Sequence, residues 1–282
     1  TMQYNPNNPD NIEWESENSF SFYRWIDNYD KWIHQGGFTS TADNHVYQDL
    51  QRLGTYTILR NTDRRSPTVS ANVQDQEFTY GGYVSGTGII SFTLADANGI
   101  DIFDNSIELF LNGIPVDERD FTIAANPGNL ISIPIKHQLN LDDGNYTLSL
   151  SCADVNGNFQ SHDINFVVNT RFDVLNLANY PNPIVTTTID PANQNRTRFT
   201  YVLTDDADEV TIKVYTVSGR LVKTFRNLPS GIGYHEYPRT VLGWDCRDDK
   251  GYYLANGVYF YKIIARKGNK TAEQTQKMAI SR

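Results

Sequence analysis

The chain has 282 residues, of which 39% are hydrophobic and 12% aromatic, which suffices for two or three domains with apolar cores. Its formal net charge of −9 argues against a nucleic-acid-binding protein, and no apolar run reaches the ~20 residues of a membrane span. Abundant Tyr, Asn, Asp, Thr and Gly, without long helical patterns, predict an extracellular or periplasmic β protein. No signal peptide is visible at Thr1, and the Thr-Met start indicates a fragment of a larger chain.

Residues 1–65 contain strand patterns, but too few of them to close a sandwich. FSFYRWI alternates as a strand does, and HVYQDL and GTYTILRN predict two further strands. Asp43 and Asn44 predict a hairpin turn. We expect this segment to be the C-terminal strands of a truncated upstream β domain.

Residues 66–169 show strict alternation of apolar and polar side chains. The alternation places Ile90, Phe92 and Leu94 on one face of GIISFTLAD, and SIELFLNG, NLISIPI, GNYTLSLSCAD and HDINFVV repeat the pattern. The turn signals DANG, LNGIP, DDGN and DVNGN separate these segments. About seven short strands in about 100 residues predict an immunoglobulin-like β-sandwich, although the Cys…Trp…Cys signature of antibody domains is absent.

Residues 170–282 begin with a break, because LANYPNP at 177–183 carries two prolines that cannot sit in a central strand. The strand patterns RTRFTYVLT, VTIKVYTV and LVKTF follow, and the second turns Val210, Ile212 and Val214 inward. These residues therefore predict a second sandwich. The predicted fold class is all-β: consecutive immunoglobulin-like β-sandwich domains after a partial β domain.

Four motifs of the terminal region occur together: the NYPNP opening, VYTVSGRLV, the WD-x-RDD-x-G run and LANGVYFY. With them, residues 177–282 resemble the C-terminal sorting domain of type IX secretion cargo (type A) and are similar to the Ig-like domain of the flagellar hook-cap protein. The preceding sandwich looks like the one before such domains in cargo and in the sortase of that system. Cys246 departs from the glycine that the family often has after Trp-Asp, which matters if that turn needs a positive φ.

The resemblance implies that this chain is the non-catalytic C-terminal region of a larger secreted or cell-surface bacterial protein. The last domain would be the signal that the outer-membrane type IX machinery and its sortase recognise after periplasmic passage, and the middle domain would be a spacer. Upstream domains of the same chain are the other implied partners. The sorting-motif residues that the resemblance assigns are Asn179, Tyr180, Pro181, Asn182, Pro183, Gly219, Trp244, Asp245, Gly251, Gly257 and Tyr259.

Four tyrosines lie on or beside one predicted strand of this region: Tyr252, Tyr253, Tyr259 and Tyr261. Aromatic side chains favour strands, so packing in the core and in cross-strand rows is the simpler interpretation. An exposed docking patch is the functional alternative.

No catalytic motif is evident in the sequence. The five histidines are scattered, and neither a G-x-S-x-G elbow nor an H-E-x-x-H motif occurs. Cys152 and Cys246 fall in different predicted domains, so no disulfide is expected, and the alternation around Cys152 predicts core packing. We therefore predict that the chain is not an enzyme.

Two loops carry oxygen ligands of the kind that calcium prefers. The candidate ligands are Asp96, Asn98 and Asp101 in DANGID, and Asp154, Asn156 and Asn158 in DVNGN. Asn and Asp are also the default turn residues, so a turn without metal is the simpler interpretation of each loop. One shared calcium site would form if both loops lie at the same end of the sandwich; no other cofactor is predicted.

An adhesin or carbohydrate-binding region is the alternative function, with the terminal sandwich as a structural repeat. Trp14, Trp25 and Trp32 lie close together in the first segment, and exposed tryptophans stack on sugar rings. Packing of the first segment is the commoner role for so large an apolar side chain. A glycan is therefore the alternative ligand.

Overall fold

The computed structural model describes residues 2–3, 19–74, 76, 81–125, 129–185, 196–239 and 243–281. These residues are mostly strand, with short 3-10 helices at Asp27–Tyr29 and Glu118–Asp120, which confirms the all-β fold class. None of the described helices is long and apolar enough to span a membrane. Contacts divide the chain into two compact units, the first comprising Thr1–Ala71, Ile90–Gln138 and Thr147–Ile164, and the second comprising Asn72–Ile89, Leu139–Tyr146 and Asn165–Arg282.

The strands of the first segment form two three-stranded sheets, β1-β5-β4 and β3-β2-β6. Their bounds are β1 (Met2–Gln3), β2 (Phe20–Ile26), β3 (Lys31–Gly36), β4 (Phe38–Ser40), β5 (His45–Tyr47) and β6 (Tyr56–Arg60). FSFYRWI is a strand as predicted, whereas only the first half of HVYQDL is. The predicted turn at Asp43 and Asn44 joins β4 to β5, and Asn44 has a φ of 53°.

The middle strands form a five-stranded sheet, β11-β10-β14-β15-β8, and a four-stranded sheet, β12-β13-β9-β7. Their bounds are β7 (Thr68–Val73), β8 (Tyr83–Val84), β9 (Ile89–Ala95), β10 (Glu108–Leu111), β11 (Ile114–Pro115), β12 (Phe121–Ile123), β13 (Ser132–Gln138), β14 (Gly144–Ala153) and β15 (Phe159–Val168). The predicted alternation is confirmed, since Ile90, Phe92 and Leu94 are fully buried. Cys152 is buried as well, as its position in GNYTLSLSCAD predicts.

The last eight strands form the sheets β16-β18-β21 and β17-β23-β22-β19-β20, here called the terminal sandwich. Their bounds are β16 (Val174–Tyr180), β17 (Ile184–Val185), β18 (Arg198–Leu203), β19 (Glu209–Thr216), β20 (Leu221–Phe225), β21 (Gly233–Tyr237), β22 (Gly257–Lys267) and β23 (Lys270–Ser281). LANYPNP is not a break throughout, because its first four residues end β16 and only Pro181, Asn182 and Pro183 lie outside a strand. The limits predicted at residues 65 and 169 stay predictions.

One hydrophobic core fills the terminal sandwich, and it draws on both sheets. Val210, Ile212 and Val214 of β19 are fully buried, as predicted. They face Tyr201 of β18, whose hydroxyl donates to the carbonyl oxygen of Pro229 at 2.6 Å, so the buried phenol is satisfied. Each such side chain contributes roughly 1.5–3 kcal/mol by its removal from water.

Candidate functional site at the proline end of the terminal sandwich

Pro181 and Pro183 carry the chain from one sheet of the terminal sandwich to the other. Asn182 lies between them, and its side-chain Nδ2 donates to the carbonyl oxygen of Lys277 at 3.1 Å while its Oδ1 accepts from the backbone N–H of Ala279 at 3.0 Å. The amide thus bonds to β23 as a backbone peptide group would. β17 then pairs with the end of β23 in parallel. We call this end of the sandwich the proline end.

The buried side chain of Asn179 holds the proline segment (residues 181–183) in place through hydrogen bonds. Its buried Nδ2 donates to Oγ1 of Thr197 at 3.0 Å and to the carbonyl oxygen of Pro181 at 3.3 Å. The Thr197 hydroxyl donates to the same Pro181 carbonyl at 3.0 Å. Among the residues that the structure describes, none offers a hydrogen bond to the buried Oδ1 of Asn179. Asn179 thus bonds within the sandwich through its Nδ2, and a buried polar atom without a hydrogen bond costs free energy.

Trp244 connects the WD-x-RDD-x-G run to the same segment. Its backbone exchanges two hydrogen bonds with Thr197, at 2.8 and 2.9 Å. The indole N–H donates to the carbonyl oxygen of Arg247 at 3.1 Å, and the ring centroid lies 5.9 Å from that of Phe199 and 5.3 Å from that of Phe225. Trp244 is thus a buried core residue that joins two motifs distant in sequence.

The rest of that run is a tight, internally bonded loop. Asp245 pairs with the guanidinium of Arg247 at 3.0 Å, and Arg247 lies over the ring of Tyr253 at 3.7 Å from its centroid. Arg247 also donates to the carbonyl oxygen of Gly251 at 2.7 Å. Oδ1 of Asp248 accepts two backbone N–H groups of the following turn. Asp245 and Gly251 therefore shape the loop that presents the tyrosine.

Cys246 occupies a left-handed backbone position, with a φ of 60°. The turn therefore does need a positive φ, which is the condition under which a cysteine in place of a glycine matters. A left-handed residue with a Cβ costs roughly 1–2 kcal/mol. The cysteine side chain is completely buried in the core of the sandwich, and this burial offsets part of the strain.

The remaining motif residues meet at the same end. Gly219, at a φ of 82°, forms the turn between β19 and β20, and the last residues of β19 pair with the start of β22. Gly257 opens β22 opposite Ile280. Tyr259 is buried, and its hydroxyl donates to the carbonyl oxygen of Ala255 at 2.9 Å. Strand pairing thus brings NYPNP, the Ser-Gly turn and LANGVYFY together.

Exposed apolar side chains surround this framework. Tyr180 is 80% exposed, Tyr252 71% and Tyr253 55%. Tyr259 and Tyr261 are buried, so the four tyrosines divide between core packing and an exposed patch. Further exposed apolar residues of the same end are Val185, Val217, Leu221, Val258 and Phe260. The proline end therefore combines a rigid motif framework with an aromatic surface.

The two loops proposed for calcium lie together in the first compact unit. Oxygens of Asp96, Asp154 and Asp63 all lie within 4.8 Å of one another. Asn98 and Asn156 each donate to Oδ2 of Asp63, at 2.6 and 3.2 Å. Asp63 was not among the predicted ligands, because it lies far from both loops in sequence and no local pattern marks it.

Asp154 is completely buried, and its burial raises the pKa of its carboxyl group. Asn158 donates to its Oδ2 at 2.8 Å, and backbone N–H groups bind its Oδ1. Asp101 stands apart from the three clustered carboxylates: its Oδ1 accepts the N–H of Phe103 at 2.9 Å. Burial raises the pKa of Asp101 to about 7. The cluster thus unites Asp96 and Asp154 with Asp63, and excludes Asp101.

The tryptophans proposed for sugar binding are only partly described. Trp25 and Trp32 pair across β2 and β3, with ring centroids 5.1 Å apart, and both are half-buried. Trp14 lies outside the described residues. Cys152 and Cys246 are free thiols, in agreement with the prediction of no disulfide.

Comparisons with known proteins identify one family model and several solved structures that are similar to the chain. The family model of the FlgD Ig-like domain matches residues 186–269, and no curated protein matches the chain. Dimeric latent PorU from Porphyromonas gingivalis is 20% identical, with 78% of this chain and 20% of that chain covered and a TM-score of 0.35. Domains A168–A170 of titin are 7% identical (93% and 88% covered, TM-score 0.28). A tetra-tandem repeat of a large adhesion protein is 15% identical (94% and 67% covered, TM-score 0.28). The family match, together with the two sheets of the terminal sandwich, identifies Ig-like β-sandwich structure in the chain, and residues 186–269 are similar to the FlgD Ig-like domain.

Proposed function

We propose that this chain is the non-catalytic C-terminal region of a larger secreted or cell-surface bacterial protein. Its terminal sandwich acts as the signal that type IX secretion machinery recognises, and the middle strands act as a spacer. The observation that carries the proposal is the convergence of NYPNP, the Ser-Gly turn, the WD-x-RDD-x-G loop and LANGVYFY at the proline end. These motifs form one surface only after folding, so the recognised object is a folded domain.

The motif residues fall into two groups: some are bonded within the sandwich, and others are exposed on its surface. Trp244, Asn179 and Asn182 are engaged within the sandwich and hold its shape. Tyr180 and Tyr252 are exposed and available to a partner. Exposed aromatic residues on a rigid frame are favourable anchors, because they bury a large area at a low cost in side-chain entropy.

Deletion of residues 177–282 from the full-length parent tests the proposal. We expect the truncated protein to remain in the periplasm, whereas the intact protein crosses the outer membrane and meets the sortase. A triple substitution of Tyr180, Tyr252 and Tyr253 by alanine should also reduce export while Cys246 stays protected from alkylation. Normal export of the deletion variant would refute the proposal.

An adhesin or carbohydrate-binding function is the second candidate. The Trp25–Trp32 pair favours it, because half-buried indoles leave ring surface on which a sugar can stack. A glycan array with the whole chain, with and without calcium, tests this function. Binding that disappears in Trp32→Ala supports it, and the absence of any bound glycan under both conditions contradicts it.

A further inference from the structure

The terminal region has the opposite charge to the rest of the chain. Residues 171–282 contain 16 Lys and Arg against 11 Asp and Glu. The 170 residues before them contain 8 and 22. Such an asymmetry indicates that the terminal region meets a partner of a different electrostatic character from the rest.

Part of the excess of cations lies on the outward face of the sheet β17-β23-β22-β19-β20, which carries five cations against two carboxylates. Because Val210, Ile212 and Val214 point inward, the residues between them on β19 and their cross-strand partners point outward. We call this surface the cationic face; its charged residues are Lys213, Arg226, Lys262, Arg266 and Lys277 against Glu209 and Glu273.

Two lysines stand directly opposite each other on this face. Lys213 of β19 pairs with Lys262 of β22 in the antiparallel register. Like charges in this position destabilise a sheet. Glu273 neutralises Lys262 at 2.6 Å, whereas Lys213 makes no ion pair with any residue that the structure describes. The isolated sandwich therefore keeps an unfavourable cation that an external carboxylate would stabilise.

A shallow depression of about 40 Å³ adjoins Lys213. Its lining residues are Glu209, Thr211, Lys213, Arg226, Ile264 and Arg266. Glu209 is engaged by Arg266 at 3.2 Å and by the Thr211 hydroxyl at 3.3 Å. Within the described part of the chain, Arg226 also lacks a carboxylate partner. This volume is large enough for a carboxylate group or a few waters.

An apolar patch continues the cationic face toward the proline end. Tyr215 lies opposite Phe260 on one side and Leu221 on the other, and Val258 precedes Phe260 by two residues on the same face. Leu221 and Val258 are each 47% exposed, and Phe260 is 41% exposed. An apolar centre with a charged rim is the usual anatomy of a protein–protein interface.

We propose that the cationic face docks an acidic protein surface. The apolar patch would pack against the centre of the partner's surface, and partner carboxylates would neutralise Lys213, Arg226 and Lys277. The inference rests on the proposed function, since the partner it describes is the secretion component that binds the terminal sandwich. A nucleic acid or an anionic membrane fits less well, because the apolar patch at the centre of the charged rim is the anatomy of a protein–protein interface.

Charge reversal on the full chain tests the inference. The test variant combines Lys213→Glu, Arg226→Glu and Lys277→Glu, and the control combines Lys136→Glu, Arg171→Glu and Lys270→Glu, with the same change in net charge. Protection of Cys246 from alkylation verifies the fold of both. We expect export of the test variant to fall about tenfold and that of the control to match wild type.

A binding experiment distinguishes an acidic protein from an anionic membrane as the partner of the cationic face. Poly-L-glutamate serves as the acidic polypeptide, and vesicles of phosphatidylglycerol and phosphatidylcholine serve as the anionic membrane. We expect poly-L-glutamate to bind wild type and control in a salt-dependent way and to lose about tenfold in affinity for the test variant. Tighter binding of vesicles than of poly-L-glutamate overturns the inference in favour of a membrane.

The sorting function and the docking role of the cationic face can be refuted independently of each other. If deletion of residues 177–282 blocks export while the folded charge-reversal variant is exported normally, the cationic face is not the docking surface and the sorting function stands. If the deletion leaves export intact, the sorting function fails. The poly-L-glutamate result then decides alone whether the face binds acidic protein, and equal binding by the test variant and wild type rejects it.

Discussion

Replacing Asn179 by aspartate exchanges a buried amide for a carboxylate that has no donor to offer. The amide donates to Thr197 and to the Pro181 carbonyl, whereas an ionised carboxylate would set a negative oxygen against that carbonyl. Asn182→Asp is the matched control. It makes the same chemical change a few residues further along the same motif, but at an exposed position where the acceptor of the Ala279 N–H is kept.

The two substitutions should lower the free energy of unfolding by different amounts, because Asn179 is buried and Asn182 is exposed. An unpaired buried charge costs roughly 3–5 kcal/mol. Asn182→Asp loses only the exposed bond to the Lys277 carbonyl, worth about 0.5–1 kcal/mol. The penalty of Asn179→Asp should also shrink as the pH falls toward ~4. Burial raises the folded-state pKa of the new carboxyl group above its unfolded value, so protonation favours the folded state and restores a donor to Pro181.

The buried thiols provide the assay. Cys246 reports on the terminal sandwich and Cys152 on the first compact unit, so pulsed alkylation during a guanidinium titration followed by mass spectrometry yields separate midpoints for each. We expect Asn179→Asp to lower the Cys246 midpoint much more than Asn182→Asp, with the Cys152 midpoint unchanged. Equal effects of the two substitutions would show that Asn179 does not fasten the proline segment as its contacts indicate.

The first compact unit can be tested through the labelling of Cys152, through the pH dependence of its stability and through its response to calcium. Cys152 should resist alkylation in the native protein even at pH 9, because burial and Asp154 raise its pKa to about 11; rapid native labelling would contradict this. Stability of the first unit, read at Cys152, should fall as the pH rises from about 4 to 7, because the folded-state pKa of Asp101 is raised to about 7, and Asp101→Asn should flatten that slope. Calcium, if it is the ligand predicted from the loops, should raise the Cys152 midpoint in wild type but not in Asp63→Asn; no shift in wild type would reject calcium.

Much of the fold follows from local pattern alone. Alternation in GIISFTLAD and VTIKVYTV identifies the strands and their buried faces, because side chains of a strand point to opposite sides in turn. The motif residues of the terminal sandwich are assigned from the resemblance to sorting domains, which is readable in the sequence because each motif is a contiguous stretch of the chain. Which tyrosines are exposed could be predicted less well, since Tyr252 and Tyr253 lie in a loop whose path depends on Arg247 and Asp248.

Local patterns therefore identify most of the strands, their inner faces and the turn residues, because each of these depends on neighbours in the chain. Folding alone brings Asp63 to Asp96 and Asp154, links Asn179 to Trp244 through Thr197, and places Lys213 opposite Lys262. The physical reason is that strand register is set by non-local packing, and a shift of one residue would turn every side chain of a strand to the other face.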